Sequence, residues 1–273
     1  MKIGIFDSGL GGLIIAKAIR AKMPQYDYVY LGDTKRVPYG NRSHKTVFEF
    51  TREGVEYLLQ KENCAIVIVA CNTASAQALR KIQQEYLPTH FPDRKVIGVL
   101  IPAAEEAARF SRIGVLATSG TVGSKTFVKE IQKINPRAKV FQNAAPMLVP
   151  LIEEGKIKEA AAFVKEYLKP LKGKKLDVLV LGCTHYPILK KEFNPVRGRG
   201  SLRALAASSG IKIISQDEVV PKKLRGYLAR HPEISKKISK KGSANILVTG
   251  ITEHVRQLSA KWFGAVKPRL VRI

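Results

Sequence analysis

The stretch VIVACNTASA, residues 67–76, carries the first clue to the fold. An apolar, β-branched run ends at Cys71, and Asn72 and Thr73, which follow, are types that cap the amino ends of helices. This order predicts a buried strand, an abrupt exit and a helix. It returns at VLVLGCTHYP, residues 178–187, where the apolar run ends at Cys183, Thr184 and His185. Strands apolar on both faces, alternating with helices, belong to parallel α/β sheets. The expectation is two similar parallel-sheet α/β domains. Ligands of such sheets bind at the carboxyl ends of strands, where both cysteines fall.

The same patterning runs along the chain. Strands are expected at 2–6, 28–31, 66–70, 96–100 (closed by Pro102), 113–117, 139–141, 178–181, 211–214 and 246–248. Helices are expected at 13–21, 46–60, 75–86, 123–134, 157–168 and 252–263. The stretch 194–200, with Pro195, Gly198 and Gly200 among arginines, reads as an exposed loop.

Composition narrows the class. With 273 residues, 45% of them hydrophobic, the chain can build a real core and is not a disordered protein. Its apolar runs are strand-length, too short for a bilayer span, and its start lacks a signal pattern, so a cytoplasmic protein is expected. Three cysteines at wide spacings, without a CxxC, argue against a disulfide framework and a zinc site. No metal cluster and no cofactor motif stands out. The net charge of +25 is large, and from Lys190 onward there are 19 Lys and Arg against 5 Asp and Glu. Such a field attracts nucleic acid, anionic surfaces or anionic small molecules without naming one. A nucleic-acid role is kept as a side activity, and no membrane partner is expected.

Free cysteines in a reducing compartment are usually packing residues. Cys64, at the entrance to a strand, fits that description. Cys71 does not, because a thiol at a helix amino end is made more acidic than the ordinary value of roughly 8.5. Cys183 shares this placement, and His185 stands two residues away, where it can exchange protons with the thiol. DSGLGG, residues 7–12, is a glycine-rich turn that misses the dinucleotide spacing and lacks a Walker lysine. It suits a small anion, while Asp7 and Ser8 serve equally well as turn formers on spacing alone. GDTKRVPYGNRS, residues 32–43, with Asp33, Pro38, Tyr39 and Gly40, is a long polar loop after a strand. Thr118, Ser119 and Thr121 are hydroxyls at a strand end, either a helix cap or a carboxylate binder. Glu153 and Glu154 read as surface acids.

Two thiols set among hydroxyls and backbone donors suit one reaction. One thiolate takes a proton from a carbon acidified by a carboxylate, and the other thiol delivers a proton to the opposite face. A cysteine hydrolase needs one Cys–His pair and leaves the second thiol unused. DSGLGG, GDTKRVPYG, CNTAS, GVLATSGT, VPLIEEG and GCTHYP resemble, in order and approximate spacing, the cofactor-independent glutamate racemases. The likeness runs from residue 3 to about 190. His185 resembles the glutamate enzymes, whose aspartate-racemising relatives carry Glu at that position. The resemblance implies two domains related by pseudo-twofold symmetry, a first of residues 1–97 plus 208–273 and a second of 98–207, with an active site in the cleft between them. It implies that Cys71 deprotonates D-glutamate and Cys183 deprotonates L-glutamate, with Asp7, Glu153 and His185 supporting the proton transfers. Ser8, Pro38, Tyr39, Gly40, Asn72, Thr73, Thr118, Thr121 and Thr184, together with Asp7, would hold the substrate. It further implies a homodimer making D-glutamate for peptidoglycan. The chain departs from the family in its basicity, in residues 194–210, and at Ser215-Gln216, where relatives tend to have Asp-Ser or Asp-Pro.

Overall fold

β1 (Lys2–Asp7), β2 (Tyr28–Gly32), β3 (Cys64–Val69) and β4 (Lys95–Gly98) form the centre of a parallel six-stranded sheet, in the order β10-β9-β2-β1-β3-β4. β9 (Ala244–Val248) and β10 (Pro268–Leu270) complete it from late in the chain. This architecture comes from a computed structural model, which describes residues 1–193 and 211–273. The loop expected at 194–200 lies outside the described residues. Every residue of β3 is buried, as an apolar strand covered on both faces requires. Burying each of its isoleucines and valines is worth about 1.5–3 kcal/mol.

The helix His44–Gln60 covers the sheet through Val47, Thr51, Val55, Leu58 and Leu59, spaced along one helical stripe. It is capped by Ser43, whose side chain accepts from the Thr46 N–H. Gly54 lets it approach closely, since a Cβ there would stand 2.2 Å from the Phe6 ring.

A second sheet is built from β5 (Arg112–Ala117), β6 (Lys139–Ala144), β7 (Val178–Gly182) and β8 (Lys212–Ile214), all parallel, in the order β6-β5-β7-β8. The chain divides into a unit of 1–99 plus 220–273, which holds the first sheet, and a unit of 100–219, which holds the second. In each unit the first four strands follow one topology: the first strand lies between the second and the third, and the fourth flanks the third. The faint sequence echo around the two cysteines is therefore a repeat of strand order. Cys71 follows the third strand of one unit, and Cys183 follows the third strand of the other.

Several expectations needed correction. The strand expected at 96–100 ends at Gly98, and a helix begins at Leu100. Pro102 sits in its first turn, where a missing N–H costs nothing. The second unit runs on through β8, which pairs with β7, to residue 219. The helix expected at 75–86 begins at Asn72 and continues in short turns to His90, with a π-helical stretch at Ile82–Tyr86. Elements not anticipated include the helices Leu100–Ala107, Leu148–Glu153, Gln216–Arg230 and Pro232–Ser235, and the short strand β10.

Candidate active site

Cys71 leaves β3 and caps the helix Asn72–Gln77. Its backbone is extended (φ −69°, ψ 124°), and its Sγ accepts from the Ala74 N–H at 3.5 Å. The Ser8 hydroxyl, arriving from the end of β1, donates to the same sulfur at 3.3 Å. Both groups are donors, so they stabilise the negative charge that sulfur carries once its proton has left. Asn72 and Thr73 are buried beside the thiol at the helix amino end.

Asp7 closes β1 and is buried. Its Oδ2 accepts from the Gly9 N–H at 3.0 Å, while the Tyr30 hydroxyl lies 3.5 Å away and donates to the Gly9 carbonyl at 2.8 Å. One backbone donor of the DSGLGG turn is thus engaged by the chain's own carboxylate. Gly12 has a packing reason. A Cβ there would fall 2.7 Å from the Asp7 Cβ, so the helix starting at Gly12 approaches the end of β1 as only glycine permits.

The loop after β2 is organised by Asp33, which is fully buried. Arg36 Nε donates to it at 2.6 Å, the Tyr39 hydroxyl at 2.5 Å and the Thr249 hydroxyl at 2.7 Å. Burial first, and then Asp33, raises the Tyr39 phenol far above its ordinary range, so it is a neutral donor. Its ring packs against Phe6 and Phe50. Tyr39 therefore shapes the loop with a side chain turned into the core, while Pro38, after a cis Val37–Pro38 bond, is exposed and Gly40 partly exposed. Nothing in the sequence pattern singles out Arg36 or Thr249, or gives Asp33 this role. Thr249 lies 216 residues away in sequence, and no local pattern announces it.

In the second unit Cys183 follows β7 and is buried. His185 Nδ1 stands 3.7 Å from Cys183 Sγ, and its Nε2 lies 2.9 Å from Glu153 Oε1. Burial works against the imidazolium, but the hydrogen bonds with Cys183 and Glu153 outweigh it, and His185 holds its proton well above the usual histidine range. Glu153, which closes the helix Leu148–Glu153, is thus the outer member of a Cys–His–Glu chain. Thr184 is buried beside the thiol. Thr118 caps the helix Ser119–Ser124, accepting from the Thr121 N–H at 3.3 Å and donating to the Thr121 hydroxyl at 3.0 Å. Of its two readings, the structure displays the cap.

Cys64 is fully buried at the start of β3. Burial pushes its thiol up to about 12, so it is inert at neutral pH. Among the described residues, no group of three or more His, Cys, Asp and Glu could hold a metal ion. None of the described helices is long and apolar enough to cross a membrane.

Residues 14–199 match the family model described as Asp/Glu/Hydantoin racemase. The chain belongs to that family. A glutamate racemase of Chlorobaculum parvum is 39% identical over 271 residues, covering 97% of this chain and 93% of the relative. One from Aquifex pyrophilus is 46% identical over 203 residues, covering 72% and 76%. Among solved structures, glutamate racemase RacE1 of Bacillus anthracis superposes with a TM-score of 0.85 at 30% identity, covering 100% of this chain and 97% of the other. The Francisella tularensis enzyme, in complex with D-glutamate, gives 0.84 at 29% identity, covering 99% and 97%. Aspartate racemase of Picrophilus torridus shares the fold, with a TM-score of 0.55 at 16% identity and coverage of 97% and 100%.

Proposed function

We propose that this chain interconverts L- and D-glutamate without a cofactor, using Cys71 and Cys183 as paired acid and base on opposite faces of one α-carbon. The observation that carries the reading is the repeat. Each thiol sits at the carboxyl end of the third strand of its unit, and each has its own proton-handling neighbours. In this reading Cys71 takes the α-proton of D-glutamate, and Ser8 and the Ala74 N–H stabilise its thiolate. Cys183 takes the α-proton of L-glutamate, and His185, held protonated by Glu153, stabilises that thiolate and relays its proton. The thiol across the carbon returns a proton, so the configuration inverts and the two thiols exchange protonation states. Asn72, Thr73 and Thr184, at the strand exits, supply donors to the substrate carboxylates. The product would feed peptidoglycan synthesis, from a homodimer in the cytoplasm.

The test is proton NMR of each glutamate enantiomer in D2O with the wild type and with Cys71→Ser and Cys183→Ser. The wild type should lose the Cα–H signal and the optical rotation of either enantiomer. Cys71→Ser should lose racemisation but keep exchange on L-glutamate alone, and Cys183→Ser the reverse. Racemisation surviving at full rate in either single variant would overturn the two-thiol reading. Turnover of aspartate in preference to glutamate would overturn the substrate.

A further inference from the structure

The mechanism leaves the +25 charge unexplained. Part of that charge is gathered at the amino ends of the strands of the first sheet. This is the edge opposite Asp7 and Cys71, which lie at carboxyl ends. The segment 236–243 runs across this edge. Ser239 donates from its N–H and its hydroxyl to the Met1 carbonyl at 2.8 and 2.7 Å, the Met1 amino group donates to the Lys237 carbonyl at 3.1 Å, and the Asp27 N–H donates to the Ser239 carbonyl at 3.0 Å. The backbone is thereby tied to the starts of β1 and β2, and Lys236, Lys237, Lys240 and Lys241 are left exposed to solvent. On the other side of β1, Arg94 donates to the Cys64 carbonyl at 3.0 Å at the start of β3, Lys61 is exposed just before that strand, and Lys95 opens β4.

The acids on this edge do not neutralise it. Asp27 is buried and accepts from the Ser243 N–H and hydroxyl, and Glu62 is paired with Lys2. Glu233, near Lys95, is held by His231, and Asp93 is exposed. Among the described residues, the ammonium groups of Lys61, Lys236, Lys237, Lys240 and Lys241 have no carboxylate partner. A lysine just past a helix end, such as Lys61, is accounted for by the helix dipole. The lysines of 236–241 close no long helix and need another account.

We infer that this edge docks the phosphate backbone of duplex nucleic acid, without reading its sequence. β9, β2, β1, β3 and β4 are successive neighbours, so at about 4.8 Å per strand the basic row spans about 19 Å. Duplex DNA carries one charge per about 1.7 Å of axis, so a stretch of that length holds about eleven phosphates, and those on one side face the row. The exposed large apolar side chains of the described residues are Ile134, Met147, Phe163 and Leu270. The first three lie in the other unit, and Leu270 closes β10 at a carboxyl end. The edge therefore offers nothing to insert into a membrane and no exposed aromatic on which single-strand bases could stack.

The test is fluorescence anisotropy of the full chain with a labelled DNA duplex of mixed sequence, at several salt concentrations. Four phosphate contacts predict an affinity loss of about a hundredfold between 50 and 200 mM salt. Lys236→Gln, Lys237→Gln, Lys240→Gln and Lys241→Gln together should weaken binding about tenfold or more and flatten the salt slope, leaving racemisation and thermal melting unchanged. Gln at Lys129, Lys158, Lys165 and Lys172, exposed in the other unit, removes the same charge and should change affinity little. Equal weakening by the two quadruple variants would assign binding to diffuse charge and overturn the proposal. So would absence of binding at 50 mM salt, or tighter binding to vesicles of anionic lipid than to the duplex.

Discussion

Replacing Glu153 with glutamine isolates what the carboxylate does for Cys183. The glutamine keeps the shape and an acceptor oxygen 2.9 Å from His185 Nε2 but removes the charge. With glutamine the bond from the imidazolium persists but loses the carboxylate's opposite charge, and at the difference between charge-assisted and neutral hydrogen bonds the protonated histidine loses about 1–2 kcal/mol. The Glu153 side chain is 22% exposed, and solvent screening moves the loss toward the lower figure. At 1.4 kcal/mol per factor of ten, protonation of His185 becomes about five- to thirtyfold less favourable. A proton NMR titration of the His185 ring, run beside the pH dependence of kcat, measures this. In the wild type the raised His185 should stay protonated through neutrality. In the variant it should lose its proton at lower pH, and the basic limb of kcat should move with it.

The stability sign follows from the same shift. The folded protein binds this proton more tightly than the unfolded chain. The pair therefore stabilises fully below the ordinary histidine range, and its contribution fades as pH rises through the folded value. Glu153→Gln should lower the melting temperature most at mildly acid pH and least in base. The two enantiomers have equal free energy, so kcat/KM must fall by the same factor in both directions, and an asymmetry can appear only in kcat and KM separately. An unchanged pH profile, merely scaled down, together with a melting difference independent of pH, would refute the charge argument.

Ser8→Ala removes the 3.3 Å donor to Cys71 and should lower kcat about fivefold, a loss of about 1 kcal/mol, with thermal melting unchanged by circular dichroism. Cys64→Ala should retain full activity, and mass spectrometry after alkylation of the native wild type should find Cys64 unmodified, because its thiol is buried and pushed up to about 12. Asp33→Asn turns an acceptor of three hydrogen bonds into a group that must offer donors to one side. It should cost about 2–4 kcal/mol and lower the melting temperature by several degrees in a calorimetric scan.

The two thiol sites illustrate what local sequence can carry. An apolar strand and a cysteine followed by a polar residue are consecutive, so VIVACNTASA and VLVLGCTHYP each encode a strand, an exit and a thiol at that exit without help from elsewhere. His185 was equally accessible, two residues from Cys183. Glu153 was not, because its neighbours in VPLIEEG make it a surface acid, and only the end of the helix Leu148–Glu153 carries it to His185. Where the Tyr39 side chain goes was equally hidden: it is buried against Phe6 and Phe50 with its hydroxyl on Asp33.

Most strands, the parallel class and the duplicated cysteine context were determined by the sequence alone, because hydrophobic period and turn chemistry act over a few residues. Tertiary structure decided which sheet β8 joins, that Thr249 fastens the loop of Asp33, and that scattered lysines from 61 to 241 share one edge. Each of these depends on contacts between segments far apart in the chain. Such contacts are selected by packing and by pairing of buried polar groups, which leave no periodic trace in either segment.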